Sequence, residues 1–214
     1  MSGGFNPSPL PPPRSGEGEP NPSSSPLRFG EGLYVSVLIV NFNGAKHLPA
    51  CLTALEQQTV PRDRFEVILV DNASADGSAE LVRTRFPWVK LLPLSTNTGF
   101  AEGNNIAARH ARGSTLVLLN NDTIADPFWL EELLRERDES GATAVASKLV
   151  FAHDPTLVNS AGSFLLRDGR GADRGFRERD IGQYEEAVPV FAGCGAAIAV
   201  PAPPPGKPLL DPRY

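Results

Sequence analysis

The strongest constraint on this chain is a repeated junction at which an apolar run stops abruptly in amides or a carboxylate. VSVLIV (35–40) runs into Asn41-Phe42-Asn43-Gly44, EVILV (66–70) into Asp71-Asn72-Ala73-Ser74, and TLVLL (115–119) into Asn120-Asn121-Asp122. Each run is short, mostly apolar and rich in branched side chains. That is the pattern of a strand covered on both faces, as strands of a parallel sheet are.

Between these runs the apolar spacing changes to that of helices. Leu48, Cys51, Leu52 and Leu55 form one stripe after the first run, and Leu81, Val82 and Phe86 form another after the second. WVKLLPL (88–94) reads as a weaker strand, and residues 100–112 as an Ala-rich helix that Gly103 weakens. Asp126-Pro127 has the form of a helix start, with Asp as N-cap, Pro at the first position and Leu130, Leu133 and Leu134 as the buried stripe. TAVASKLVF (143–151) returns to strand character, and the polar run Arg167–Arg179 reads as a solvated loop. Alternating strands and helices predict an α/β fold, a mostly parallel, Rossmann-like sheet flanked by helices. Right-handed crossovers then bring the carboxyl ends of the parallel strands to one edge, where ligands of open α/β sheets bind.

Composition narrows the function. The chain has 214 residues, 41% of them hydrophobic, which suits one domain with a sizeable core. A net charge of −5 gives no footprint for nucleic acid. The two cysteines, Cys51 and Cys194, have no metal-binding spacing, and Cys51, on the apolar face of a predicted helix, reads as a packed thiol in a reducing compartment. No segment reads as a signal peptide or a membrane span. The expectation is a cytoplasmic protein, with room for peripheral contact at the inner face of the membrane. Residues 1–30, dominated by Pro, Ser, Gly and Asn, read as a disordered tail.

Three polar strand ends in register point to one cleft. Amides at Asn41, Asn43 and Asn72, with the Ser74 hydroxyl, suit a base or a ribose; Asp71 can accept from either. Asp122, a lone carboxylate flanked by amides, suits a hard divalent cation that keeps several waters and is shared with phosphates. No P-loop and no GxGxxG follow the first strand, which argues against P-loop phosphoryl transfer and dinucleotide binding.

With these residues in view, the chain resembles the family-2 inverting glycosyltransferases of GT-A fold, nearest to their rhamnosyltransferase-like branch. The matching segments are VSVLIVNFNG (35–44), LTALEQQT (52–59), VILVDNASADGS (67–78), NTGFAEGNN (97–105), LVLLNNDT (116–123) and FAGCGAAIAV (191–200). The resemblance implies a glycosyltransferase domain over 31–200 that uses a UDP- or dTDP-linked sugar and a saccharide or lipid-linked acceptor, in bacterial surface polysaccharide synthesis. By the same resemblance, Val40, Asn41 and Asn43 lie against the donor nucleotide and Asp71 bonds the base. Asn97, Gly99 and Asn104 wall the nucleotide and ribose. Asn120-Asn121-Asp122 stands for the DxD-type motif, with Asn121 on the donor and Asp122 on Mg²⁺ or Mn²⁺. Phe191, Gly193, Cys194 and Gly195 face the acceptor.

Two departures shape the expectation. Amides replace further carboxylates in the metal motif. The family's Glu-Asp pair, which supplies the general base, has no counterpart before Tyr214, so 201–214 reads as a truncated segment and the catalytic base as absent. The alternatives at this stage are an inactive nucleotide-sugar-binding fragment and, behind it, a sugar nucleotidyltransferase.

Overall fold

A computed structural model describes residues 35–213 of the chain; the tail expected over 1–30 lies outside them. The apolar runs form the strands the sequence predicts. In chain order, β1 (Val35–Asn41), α1 (Leu48–Glu56), β2 (Phe65–Asp71), α2 (Ser78–Arg85), β3 (Lys90–Pro93), α3 (Gly99–Arg109), β4 (Thr115–Leu119) and α4 (Trp129–Ser140) alternate without exception. Six short strands follow: β5 (Val145–Ala146), β6 (Leu149–Phe151), β7 (Asp154–Ser160), β8 (Ser163–Leu165), β9 (Gly171–Asp173) and β10 (Ala197–Pro201).

The main sheet has the order β3-β2-β1-β4-β10-β5. The first four strands are parallel, and β10 runs antiparallel between β4 and β5. Because β1 is flanked by β2 on one side and β4 on the other, the strand order reverses at β1. That reversal opens a crevice beyond the carboxyl ends of the strands.

Strand periodicity of two decides which side chains go where. Val35, Val37 and Ile39 of β1 enter the larger core with Leu48 and Leu52 of α1, Val82 of α2 and Leu130 and Leu134 of α4. Leu38 points the other way and packs with Ile68, Val70, Leu116 and Ala107 of α3. Thus α1, α2 and α4 cover one face and α3 the other, and each fully buried Leu or Ile stabilises by about 1.5–3 kcal/mol. Gly103 weakens α3 as a helix, yet a Cβ there would lie 2.9 Å from Val40 Cγ1. Its absence is what lets α3 rest directly on β1.

Three local expectations change. The helix expected to start at Asp126-Pro127 begins at Trp129. Asp126 Oδ1 instead accepts from the Phe128 N–H, while Gln58 Oε1 accepts from the Leu130 N–H at the helix start. The cap thus comes from a residue 72 positions away. The strand expected over 143–151 divides at Ser147 and Lys148, since β5 pairs with β10 and β6 with β7. The polar run 167–179 is not all loop: β9 pairs with β8 around a turn in which Gly169 has φ +84°. Neither strand of that hairpin buries an apolar face, so no alternation marked it.

Candidate active site

The carboxyl ends of β1 and β2 lie in register, Asn41 opposite Asp71. Asn41 Nδ2 donates to Asp71 Oδ1 at 2.9 Å and to Ser74 Oγ at 3.1 Å, and Asn121 Nδ2, from beyond β4, donates to Asn41 Oδ1 at 2.7 Å. One amide therefore ties together the three junctions picked out in the sequence. Asn41 and Asp71 are buried, Asn43 and Asp122 exposed, and Val40, Ser74 and Asn121 half-buried. The polar groups grade from a locked floor to an open rim.

Two loops are laced to each other over this floor. Ser74 Oγ accepts from the Asn43 N–H, Asn43 Oδ1 from the Ala75 N–H, and Asp76 Oδ2 from the Ala45 N–H, all at 2.8–2.9 Å. Asn43 (φ 51°) and Ala73 (φ 63°) both adopt the left-handed region. For Ala, unlike Asn, that conformation costs roughly 1–2 kcal/mol. The bond from the Ala73 N–H to Asp71 O and that from the Ser74 N–H to Asp71 Oδ2 hold it there. Local strain of this kind clusters at functional sites.

The NTGF turn is attached by Asn72. Its Oδ1 accepts from the Thr98 N–H and Oγ1, and its Nδ2 donates to Gly99 O. Asn97 Oδ1 accepts from the Gly99 N–H, with Gly99 at φ +80°. Asn72 is buried and Asn97 exposed. Asn104 is buried, and its Nδ2 donates to Phe100 O inside α3.

Asp122 stands at the open end. Its carboxylate makes no hydrogen bond or ion pair among the described residues, and no group of three or more His, Cys, Asp or Glu gathers there. Behind it, Cys51 Sγ lies 3.8 Å from Asn120 O. Burial first, and the Asp122 charge second, push the Cys51 thiol up to about 12. Cys51 is therefore a neutral packing residue and not a nucleophile.

The 191–195 segment reaches the same end of β4. The Asn120 N–H donates to Ala196 O at 2.9 Å, and β10 continues alongside β4. Phe191 is exposed, Gly193 and Cys194 half-buried, and Gly195 exposed. A Cβ on Gly193 would meet Ala146 Cβ at 2.4 Å. Beside this segment lies an apolar cavity of about 370 Å³, lined by Phe100, Leu118, Ile198, Leu210, Gly193 and Gly195 among others.

Two contributors were missed in the sequence. Gly44 reads as the end of an Asn-Gly turn. In the fold, a Cβ at Gly44 would come within 2.3 Å of both Asn121 Nδ2 and Asn41 Oδ1. Asp76, inside the matching 67–78 segment, was likewise not singled out, though it holds both the Ala45 N–H and the start of α2.

A mostly parallel sheet reversing at β1, with its polar crevice at the strand ends, defines a doubly wound α/β protein, and its likeness to solved glycosyltransferase structures makes the fold GT-A. Residues 36–200 match the family described as "Glycosyl transferase family 2", and the chain belongs to that family. It is 29% identical over 123 residues to the glycosyltransferase AglE of Haloferax volcanii, covering 56% of this chain and 40% of that protein. Its fold is similar to a Staphylococcus aureus TarS structure in complex with UDP-GlcNAc (TM-score 0.51, 25% identity, 55% of this chain and 34% of that one). It is also similar to the mannosyltransferase PcManGT from Pyrobaculum calidifontis in complex with GDP-Man and Mn²⁺ (TM-score 0.50, 28% identity, 56% and 36%). The chain spans 40% or less of each of these proteins. No helix among the described residues is long and apolar enough to cross a membrane.

Proposed function

We propose that this chain carries the donor-binding half of an inverting glycosyltransferase that takes a UDP- or dTDP-linked sugar, of the rhamnosyltransferase-like kind, in surface polysaccharide synthesis at the inner face of the membrane. The observation that carries this reading is the joining of Asp71, Ser74 and Asn121 through Asn41 at the point where strand order reverses. In it, Asp71, Asn72, Ser74 and Asn43 present the base and ribose end. Asn97, Gly99 and Asn104 belong to the adjoining wall, and Asn121 and Asp122 lie at the diphosphate end.

The donor set at Asp122 fits a divalent cation of a particular kind. A single free carboxylate holds too few ligands for an all-protein cage, but it suits Mg²⁺ or Mn²⁺ completed by waters and diphosphate oxygens. Bound there, such an ion supplies stabilisation of the charge that develops on the departing diphosphate.

Sugar transfer with inversion forms a bond between the acceptor oxygen and the anomeric carbon as the bond to the diphosphate breaks. The acceptor, a saccharide or lipid-linked hydroxyl, approaches from the side of Phe191, Gly193, Cys194 and Gly195. Its proton passes to a carboxylate, a contribution of about 10²–10⁴-fold in such reactions. Asp211 accepts from the Arg213 side chain and N–H, and these bonds hold its carboxyl below the usual range.

Calorimetric titration with UDP and with dTDP, each with and without Mn²⁺, tests the reading. Binding of one of them, strengthened by Mn²⁺, is the expected result. Heat from neither nucleotide would overturn it.

A further inference from the structure

We infer that Asn41 is a positioning residue that locks the Asp71 end and the Asn121–Asp122 end of the donor site into one unit, and does not itself touch the donor; this rests on the donor-site reading above. Asn41 is 0% exposed. Both hydrogens of its amide are committed, to Asp71 Oδ1 and Ser74 Oγ, and its carbonyl oxygen accepts from Asn121. A side chain so placed has no donor left for a base, a ribose or a phosphate.

The sheet explains why this position can play the part. Strand β1 lies between β2 and β4, so a side chain at its tip reaches the ends of both neighbours. The hydrogen bonds run in one sense, from Asn121 to Asn41 and from Asn41 to Asp71. Each amide polarises the next, and the series ends on a carboxylate. Asp71 belongs to the end that reads the nucleoside and Asn121 adjoins the end that meets the diphosphate. The link therefore fixes their spacing before any ligand arrives. Gly44 completes the device by leaving room for the Asn41–Asn121 bond to pass.

Two variants separate the halves of the link. Asn41→Ala removes it entirely. Gly44→Ala sets a methyl group against both ends of the Asn41–Asn121 bond, Asn41 Oδ1 and Asn121 Nδ2, without removing either partner of the Asn41–Asp71 bond. UDP affinity is read by calorimetry with EDTA and with Mn²⁺. We expect Gly44→Ala to keep the EDTA affinity within about twofold while the strengthening by Mn²⁺ falls about tenfold. Asn41→Ala lowers both affinities, and Asn41→Asp lowers them further by setting a second carboxylate against Asp71. A residue with a merely structural role would lower the melting temperature and move both affinities in proportion. In nucleotide-free protein, urea unfolding of Asn41→Ala, Asn121→Ala and the double variant gives the coupling directly; the double variant loses less stability than the sum of the singles. Additive losses, or a Gly44→Ala protein that keeps the full Mn²⁺ effect, would overturn the inference. If the unaltered protein binds neither UDP nor dTDP, the donor-site reading fails, and the nucleotide-free cycle still decides whether the link exists.

Discussion

Asn105 grips the main chain of Leu210 from both sides: its Oδ1 accepts from the Leu210 N–H and its Nδ2 donates to Leu210 O, each at 2.9 Å. This pair fastens the 209–213 segment to α3, and Leu210 forms part of the apolar cavity beside Gly193 and Gly195. Asn105→Ala deletes both bonds and leaves main-chain polar groups unpaired, a cost of about 1–3 kcal/mol. Limited proteolysis should then cut near residues 203–210 much faster than in the unaltered protein. Equal cleavage rates would show that the clamp contributes nothing.

Near the amino-terminal ends of β1 and β2, Glu66 is buried and fully engaged. Its Oε1 accepts from Ser36 Oγ and the Arg112 N–H, both at 2.7 Å, and its Oε2 from Arg112 Nε at 3.2 Å. Arg112 is itself largely exposed, so the ion pair adds little; the two short bonds to Oε1 carry the effect. Glu66→Ala should destabilise by about 1–3 kcal/mol through the unpaired Ser36 and Arg112 groups. Glu66→Gln, which keeps an acceptor, should cost less. Chemical denaturation ranks the two, and the reverse order would refute this account.

Asp122 lies outside the packed core, and its carboxylate supports no other residue. Asp122→Asn should therefore change stability by no more than about 0.5 kcal/mol. The same change should abolish the strengthening of nucleotide binding by Mn²⁺ while sparing binding in EDTA. A variant that responds to Mn²⁺ as fully as the unaltered protein would place the ion elsewhere.

Cys51 links the site to pH. Its thiol is pushed from 9.0 to about 12 by burial and by the Asp122 charge. Above pH 9 the unfolded chain releases a proton that the folded chain retains, so folding stability falls as pH rises from about 9 towards 12. Denaturation midpoints measured across that alkaline range should decline less steeply for Cys51→Ala than for the unaltered protein. Near neutral pH a thiol reagent should modify half-buried Cys194 and spare Cys51. Prompt modification of both would contradict this assignment.

The core of this fold was legible because its signals are local. Val35 to Val40, Val67 to Val70 and Leu116 to Leu119 declare buried strands by their own composition, and Leu130, Leu133 and Leu134 declare a helix face by spacing. The α/β class and the polar edge at Asn41, Asp71 and Asn120–Asp122 follow from that alternation; the GT-A class came only with the resemblance carried by the matching segments. What the residues do to one another did not follow. Asn41 meets Asp71 across 30 positions and Asn121 across 80, and Gln58 reaches across 72 to cap α4. Gly44 and Gly103 each look like a local interruption until a neighbouring strand or side chain fills the space a Cβ would take. Periodicity is written along the chain because each side chain's face depends on its own backbone. Choice of hydrogen-bond partner depends on which strand ends the sheet brings together, so only the assembled β2-β1-β4 order decided that Asn41 faces inward.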